Sequence, residues 1–153
     1  QPRPLSSIGN LERLYKSQRK YDAAEPLYLE CLEKYKSTLG ADHPSTLSSI
    51  NNLAELYNFQ GKYDAAEPLY LECLDKQKST LGADHPSTLS SINNLASLYD
   101  SQGKYDAAEP LYLECLEKYQ STLGADHPST LSSINNLASL YDSQGKYDAE
   151  ETL

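Results

Sequence analysis

The chain repeats itself every 42 residues. The run YDAAEPLYLECL at residues 21–32 recurs at 63–74 and 105–116, and STLGADHPSTLSSI recurs at the same interval. A fixed period of this length predicts an array of small supersecondary units and argues against one globular core. We place the whole chain, residues 1–153, in a single array. Its units are set out as follows: repeat 1 at 5–46, repeat 2 at 47–88, repeat 3 at 89–130 and a partial repeat 4 at 131–153.

Each complete copy carries two helical patterns. In repeat 2, apolar residues recur at steps of three and four from Leu47 to Tyr57 and again from Ala66 to Leu74. That spacing predicts two amphipathic helices, which we call helix A and helix B. Gly61 lies between them, where a left-handed residue would end helix A. The fold class expected is therefore all-α, built from antiparallel helix pairs.

The junctions between helices have their own signals. Asp64, with Glu67 three residues later, predicts a capping box at the start of helix B. Gly82 is expected to end helix B, and Pro86 to open the next helix A. In the last copy, YDAEETL at residues 147–153 is expected to start a fourth helix B.

The run NLAELYNFQGKYDAAEPLYLECL resembles the tetratricopeptide repeat. The positions in register are Leu53, Ala54, Tyr57, Gly61, Tyr63, Ala66, Tyr70 and Cys73. The longer unit, with LGADHP between repeats, is similar to that of kinesin light chains. The resemblance implies a right-handed α-solenoid in which successive A helices line a concave groove that receives a peptide or a partner helix.

The copies differ mostly on one face of helix A, which the resemblance places in that groove. The predicted binding residues are Arg13, Lys16, Asn52, Glu55, Asn58, Phe59, Asn94, Asp100, Asn136 and Asp142. Their character changes from basic in repeat 1 to acidic in repeats 3 and 4. We therefore expect a protein partner with a basic portion over Asp100 and Asp142, an apolar side chain against Phe59, and a backbone held by the asparagine amides. The alternative is that these are solvated positions where duplicated copies drift first.

Composition limits the classes of partner. The net charge of −9 and the pI near 4.7 work against binding to nucleic acid or anionic lipid, since both need a basic face. No apolar run approaches the length of a membrane helix, so no direct membrane insertion is expected. An alternative interpretation of the function is that the protein is a structural subunit, held in a larger assembly through its outer helix faces or its array ends.

Histidine and cysteine recur once per copy, which invites a metal or redox reading. The histidines are His43, His85 and His127, and the cysteines are Cys31, Cys73 and Cys115. Equivalent residues of neighbouring repeats are separated by at least one interhelical distance, roughly 8–10 Å, too far to share one zinc ion or a disulfide. We expect helix-entry turns and buried, inert thiols, with no metal and no cofactor. Reduced cysteines also fit a cytoplasmic location.

Catalytic motifs are missing from the sequence. It contains no glycine-rich phosphate loop and no nucleophile elbow, so no catalytic residues are expected and the protein is predicted not to be an enzyme. Eleven of the thirteen tyrosines recur at three fixed positions and are assigned to the core or the helix junctions. Tyr35 and Tyr119, replaced by Gln77 in the middle copy, are expected at the surface.

The last copy is incomplete, and this has a structural consequence. Without a full fourth helix B, the apolar face of its helix A, including Leu131, Ile134 and Leu137, would be uncovered. Either the natural chain continues past Leu153 or a partner covers this end, and end-to-end self-association is one such possibility.

Overall fold

The computed structural model describes residues 11, 14, 15 and 20–152, with side chains up to Gly145. The chain divides into two compact units, Gln1–Gln77 and Lys78–Leu153. Six helices are described from residue 20 onward: α1 (Tyr21–Leu39), α2 (Pro44–Phe59), α3 (Tyr63–Leu81), α4 (Pro86–Ser101), α5 (Tyr105–Leu123) and α6 (Pro128–Thr152). The described part contains no strand. In the terms used for the sequence, α1, α3 and α5 are B helices, and α2, α4 and α6 are A helices.

The turn from helix A to helix B depends on glycine, as the sequence predicts. Gly61 and Gly103 have φ of 75° and 76°, the left-handed region that side chains with a Cβ rarely adopt. The capping box predicted at Asp64 is wrong, because α3 already begins at Tyr63. In the equivalent helices α1 and α5 the capping residue is a lysine, and no side chain there caps the helix. The aspartate lies instead in the first turn, where its charge favours the positive end of the helix dipole.

The turn from helix B to helix A uses the histidines. His43, His85 and His127 precede the three A helices, and the Nδ1 atom of each accepts a hydrogen bond from a backbone N–H two residues later, at 3.0–3.1 Å. The next residue is proline, which is well suited to the first helical position. The prediction of helix-entry turns is confirmed, and each A helix begins three residues before the repeat border that we set from the sequence.

A buried threonine reinforces the same turn. The Oγ1 atoms of Thr46, Thr88 and Thr130 donate to the carbonyl oxygens of the glycines that end the preceding helices, at 2.7–2.8 Å. These three threonines are fully buried. The hydrogen bond therefore satisfies a hydroxyl that would otherwise be costly to bury.

The core of each unit is made where A and B helices meet. In the first unit, Ala24, Tyr28 and Leu32 of α1 pack with an apolar face of α2 and with Cys73 of α3. The residues of α2 in that cluster are Leu47, Ile50, Leu53 and Leu56. In the second unit, α5 packs against both α4 and α6. Its small and aromatic residues, Ala108 and Tyr112, meet Ala96 of α4 and Leu140 of α6.

The surface position predicted for Tyr119 is wrong. Tyr119 is buried, and so is Gln77, its equivalent in the middle copy. Each follows the buried cysteine of its helix by four residues, so it lies on the same face one turn further along. Tyr35 is half-buried and packs against Leu27 and Cys31.

The last helix does not make the turn that the sequence predicts. Helix α6 continues through Gly145 to Thr152, and Gly145 does not have the positive φ of Gly61 and Gly103. A fourth helix B beginning at Tyr147 is therefore wrong. The sequence offers a reason: Glu150 occupies the position where the other copies have a fully buried alanine. A turn at Gly145 would bring a carboxylate to that position, and burying an unpaired charge is costly.

Candidate interaction surface

The residues predicted to line a groove fall on the A helices in both units. Arg13 and Lys16 lie outside the described residues. In the first unit the other four lie along α2, where Asn52 and Phe59 are exposed and Glu55 and Asn58 are half-buried. In the second unit two lie on α4 and two on α6; of these only Asp142 is exposed, while Asn94, Asp100 and Asn136 are half-buried. None of the eight described residues belongs to the buried core.

Phe59 has a partner within its own unit. Its ring stacks on that of Tyr21 at the start of α1, with the ring centroids 5.9 Å apart and the planes at 28°. The side chain is still 49% exposed. Beside it, Gln60 Nε2 donates to Asp22 Oδ1 at 3.0 Å. Phe59 therefore joins two helix ends, a role that the sequence alone did not indicate.

A cavity of about 460 Å³ lies next to this aromatic pair. Its lining comes from the start of α1 and from the turn that follows α2: Lys20, Tyr21, Asp22, Ala23, Gln60 and Lys62. The Nζ atom of Lys62 lies 3.8 Å from Glu25 Oε2 and 5.9 Å from the centre of the Tyr57 ring. The cavity is thus bordered by charges of both signs.

The half-buried carboxylates of the A helices lie close to buried tyrosines of the B helices. In the first unit, burial raises the pKa of the Tyr70 hydroxyl, and the carboxylate of Glu55 raises it further. In the second unit, burial raises the pKa of Tyr112 to about 12, and the Asp100 carboxylate adds to that shift. A hydrogen bond with Ser97 acts in the opposite direction.

This proximity explains a pair of differences between the copies. Repeat 2 has Glu55 and Asn58, whereas repeat 3 has Ser97 and Asp100 at the equivalent positions. The two positions are three residues apart and therefore neighbours on one helix face. Repeats 2 and 3 each keep one carboxylate at these positions, near Tyr70 in repeat 2 and near Tyr112 in repeat 3. Part of the variation at these positions is therefore a move of the carboxylate from the first position in repeat 2 to the second position in repeat 3.

Asp100 differs electrostatically from the other predicted residues. Burial raises the pKa of its carboxyl group, and burial is the single cause of that shift. In the described part of the chain, Lys62, Lys76 and Lys118 form ion pairs with Glu25, Asp42, Glu72 and Asp84, and Asp100 takes part in none of these pairs. Asp100 is therefore a partly desolvated anion that no lysine neutralises there.

The histidines and cysteines form no metal site in the described part of the chain, where no group of three His, Cys, Asp or Glu side chains could hold an ion. The three cysteines are buried and unpaired by disulfides. The Sγ atoms of Cys73 and Cys115 each lie 3.3 Å from a carbonyl oxygen of the neighbouring A helix, to which they donate. Among the described helices, none has the length and apolar character needed to cross a bilayer.

We expect the thiols to be unreactive while the protein is folded. Burial raises the pKa of Cys115 from 9.0 to about 12, which lowers the thiolate fraction at pH 8 roughly a thousandfold. A disulfide reagent at pH 8 should modify native protein at least about a hundredfold more slowly than protein in denaturant. Fast modification of native protein that a Cys115→Ser variant removes would contradict the buried position.

Comparison with known proteins agrees with this architecture. The family model for the tetratricopeptide repeat matches residues 9–79, 50–121 and 93–153. A solved structure of a Podosopora anserina protein with nearly identical TPR-like repeats, named as a kinesin light chain, is similar over 96% of this chain and 70% of its own. The identity is 32% and the TM-score 0.74; a single-substitution variant of that protein gives the same identity and a TM-score of 0.77.

A second solved structure is similar in fold. BtubC (BKLC) from P. vanneervenii aligns over 97% of this chain and 59% of its own, with a TM-score of 0.79 and 23% identity. No curated protein matches the chain. The all-α solenoid class expected from the sequence is that of these solved relatives.

Proposed function

Because the chain belongs to the tetratricopeptide repeat family, we propose that it is a non-enzymatic interaction module that binds a basic peptide or partner helix along its A helices. The proposed site in the second unit consists of Asn94 and Asp100 on α4 and Asn136 and Asp142 on α6. In the first unit, Asn52, Glu55, Asn58 and Phe59 are proposed to make the corresponding contacts. No catalytic group or cofactor takes part.

The observation that supports this proposal most directly is the state of Asp100. Its ionised form loses hydration through burial and gains no lysine in return within the described part of the chain. A lysine or arginine from a partner would supply the missing countercharge, and an ion pair formed in a partly desolvated place is stronger than one in water. The exposed carboxylate of Asp142 adds negative charge on α6 of the same unit, which favours the approach of a basic segment.

The asparagines suit a backbone ligand. A primary amide both donates and accepts hydrogen bonds, so it can bind a peptide group without selecting a side chain. Asn94 and Asn136 precede Asp100 and Asp142 by six residues, which places each amide a little under two turns before the carboxylate and about 120° from it around the helix axis. Specificity would then come from the carboxylates and from Phe59, with affinity shared by the amides.

Selection from a displayed library of random 12-residue peptides tests the proposal. We expect the 153-residue chain to enrich peptides containing lysine or arginine. The Asp100→Asn variant should bind the selected peptides at least about tenfold more weakly, which is about 1.4 kcal/mol. Asp106→Asn, which removes the same charge at an exposed position on α5, is the matched control and should bind normally. Enrichment of acidic peptides, or unchanged affinity of Asp100→Asn, would refute the proposed site.

The same variant should be more stable than the parent protein at pH 7. A carboxyl group whose pKa is raised by folding costs stability when ionised; the cost is absent below its unfolded pKa and complete above its folded pKa. Removing the charge should therefore raise the melting temperature at pH 7 and have less effect near pH 3. Weaker binding together with higher stability is the pattern expected of a group kept for function. If Asp100→Asn lowers both the affinity for peptides and the melting temperature, Asp100 has a structural role.

The alternative is a subunit held in a larger assembly through outer helix faces or array ends. One observation favours it: helices α1, α3 and α5 each expose a leucine at the same position. These residues are Leu29, Leu71 and Leu113. A partner bound through such leucines would not respond to Asp100→Asn. The display experiment therefore separates the two functions.

A further inference from the structure

Helices α1, α3 and α5 each carry the same exposed row of side chains, which we call the outer stripe. It consists of an acidic residue, a proline, a leucine and a second acidic residue, at steps of four, three and four. Residues at these steps lie along one side of a helix. The members are Asp22, Pro26, Leu29 and Glu33 on α1, Asp64, Pro68, Leu71 and Asp75 on α3, and Asp106, Pro110, Leu113 and Glu117 on α5, and all of them are exposed.

The outer stripe faces away from the core. On α3 the buried side chains are those of Ala66, Tyr70, Cys73, Leu74 and Gln77. At about 100° per residue, the stripe lies on average roughly 150° around the helix axis from them. Its leucines on α1, α3 and α5 are 42%, 43% and 43% exposed. The packing of helix against helix therefore does not use the outer stripe.

The charges of the outer stripe are not neutralised within the described part of the chain. None of its six carboxylates takes part in an ion pair there. Asp22 accepts a hydrogen bond from Gln60, which leaves its negative charge in place. The copies differ at one position of the stripe, where Glu33 and Glu117 correspond to Asp75, and the carboxylate is kept in that exchange. Each stripe is thus an apolar centre between two uncompensated negative charges.

The first compact unit carries two of these stripes. Helices α1 and α3 both contribute to the core cluster around α2, through Ala24 and Cys73 among others, and both present their stripes on the side away from that cluster. One exposed leucine is ordinary on a protein surface. Two exposed leucines with four unpaired carboxylates in the same unit favour a particular partner, one that is apolar in its centre and basic on either side of it.

We propose that the outer stripes of α1 and α3 form a docking surface for a basic amphipathic helix of a protein partner. A helix laid along α1 or α3 has the same rise of about 1.5 Å per residue, so its basic residues match the stripe when they are 11 positions apart, as Asp22 and Glu33 are. An apolar side chain between them contacts Leu29 or Leu71. Docking here does not depend on the proposed peptide-binding face, which lies on the A helices.

A labelled peptide of about 15 residues, made of lysine, leucine and alanine, is the probe for this surface. Its lysines are 11 positions apart, and its leucines lie between them at helical spacing. We expect saturable binding to the 153-residue chain, followed by fluorescence anisotropy. A peptide of the same composition, reordered so that no apolar face forms, should bind at least about tenfold more weakly. Because an isolated helix of this length is only partly formed in water, the comparison between peptides carries the result.

All measurements are made in the Asp100→Asn protein, so that basic peptides bound at the proposed peptide-binding face contribute little. Replacing both Leu29 and Leu71 by glutamine should weaken binding at least about tenfold. Glutamine keeps a similar helix propensity, and both leucines are exposed, so the far-ultraviolet circular dichroism should not change. Leu39→Gln is the matched control, because Leu39 is 45% exposed on α1 but lies outside the stripe, and it should bind normally.

The charged part of the surface is tested by replacing Asp64 and Asp75 by asparagine together. Binding should weaken several-fold and depend less on salt, since two carboxylates of the stripe are gone. Absence of saturable binding, equal affinity for the reordered peptide, or equal losses for Leu39→Gln and the double leucine variant would overturn the proposal. None of these outcomes bears on the peptide-binding face, which the display experiment tests separately.

Discussion

Replacing Ala108 by glutamate is expected to unfold the second unit. Ala108 is 0% exposed and packs with Ala96, Tyr112 and Leu140, so no space is available for a longer side chain. The substitution adds both steric overlap and an unpaired charge to the contact that joins α5 to α4 and α6. Either change alone typically costs a few kcal/mol. Together they should remove about 4 kcal/mol or more, a large part of the 5–15 kcal/mol that stabilises an ordinary domain.

The neighbouring alanine supplies the control. Ala107 is exposed in the same helix turn, so Ala107→Glu makes the same change in composition and nearly the same change in helix propensity. Urea unfolding followed by circular dichroism should show a loss of less than about 0.5 kcal/mol for Ala107→Glu. Similar stabilities of the two variants would mean that Ala108 is not at a close-packed contact.

This prediction also bears on the end of the chain. Glu150 occupies in the last copy the position that Ala108 occupies in repeat 3. If a glutamate at Ala108 is as costly as we expect, then helix α6 avoids the same cost by continuing through Gly145. Alanine or glutamate at this one position would then decide whether the A helix ends at its glycine turn or continues through it.

Much of the fold could be predicted because it depends on local sequence. The glycines at the A–B turns, the prolines that open the A helices and the spacing of apolar residues are all short-range signals, and the structure follows them in repeats 2 and 3. The error at Asp64 was one of helix start: a cap at Asp64 would begin the helix at residue 65, whereas it begins two residues earlier, at Tyr63. Tyr119 was misplaced because its partial replacement between copies was taken as a sign of exposure.

The last copy shows what local sequence cannot predict. Residues 79–107 and 121–149 are identical, yet α4 ends at Ser101 whereas α6 continues past the equivalent position, Ser143. Secondary-structure propensity is the same in both, so the packing of the following helix decides the result. In repeat 3, α5 packs on α4 with Ala108 buried and stabilises the glycine turn, whereas in repeat 4 the equivalent of Ala108 is Glu150.

Only part of the candidate binding face could be predicted from the sequence. Comparison of the copies singled out Glu55, Asn58 and Asp100, since these positions vary. It did not show that the carboxylates lie beside Tyr70 and Tyr112, because those tyrosines are in another helix and do not vary. Nor could it show that Phe59 stacks on Tyr21, a contact between residues far apart in the chain.

The identical segments also allow one substitution to be compared in two environments. Ile92→Ala should cost about 2–5 kcal/mol, as expected for a fully buried isoleucine that leaves a cavity. Ile134→Ala makes the same change in the same local sequence but at a side chain that is 42% exposed, and it should cost less than about 1 kcal/mol.

Both variants should be unfolded in urea under the same conditions, so that the helix propensity change and the response of the unfolded chain cancel in the comparison. The difference in unfolding free energy then measures what helix B contributes at Ile92 and what is lacking at Ile134. Equal costs would mean that the face of α6 around Ile134 is covered in solution. In that case the Ile134→Ala cost should depend on protein concentration if a second copy of the chain is the cover, because an occupant stabilises the folded state by mass action.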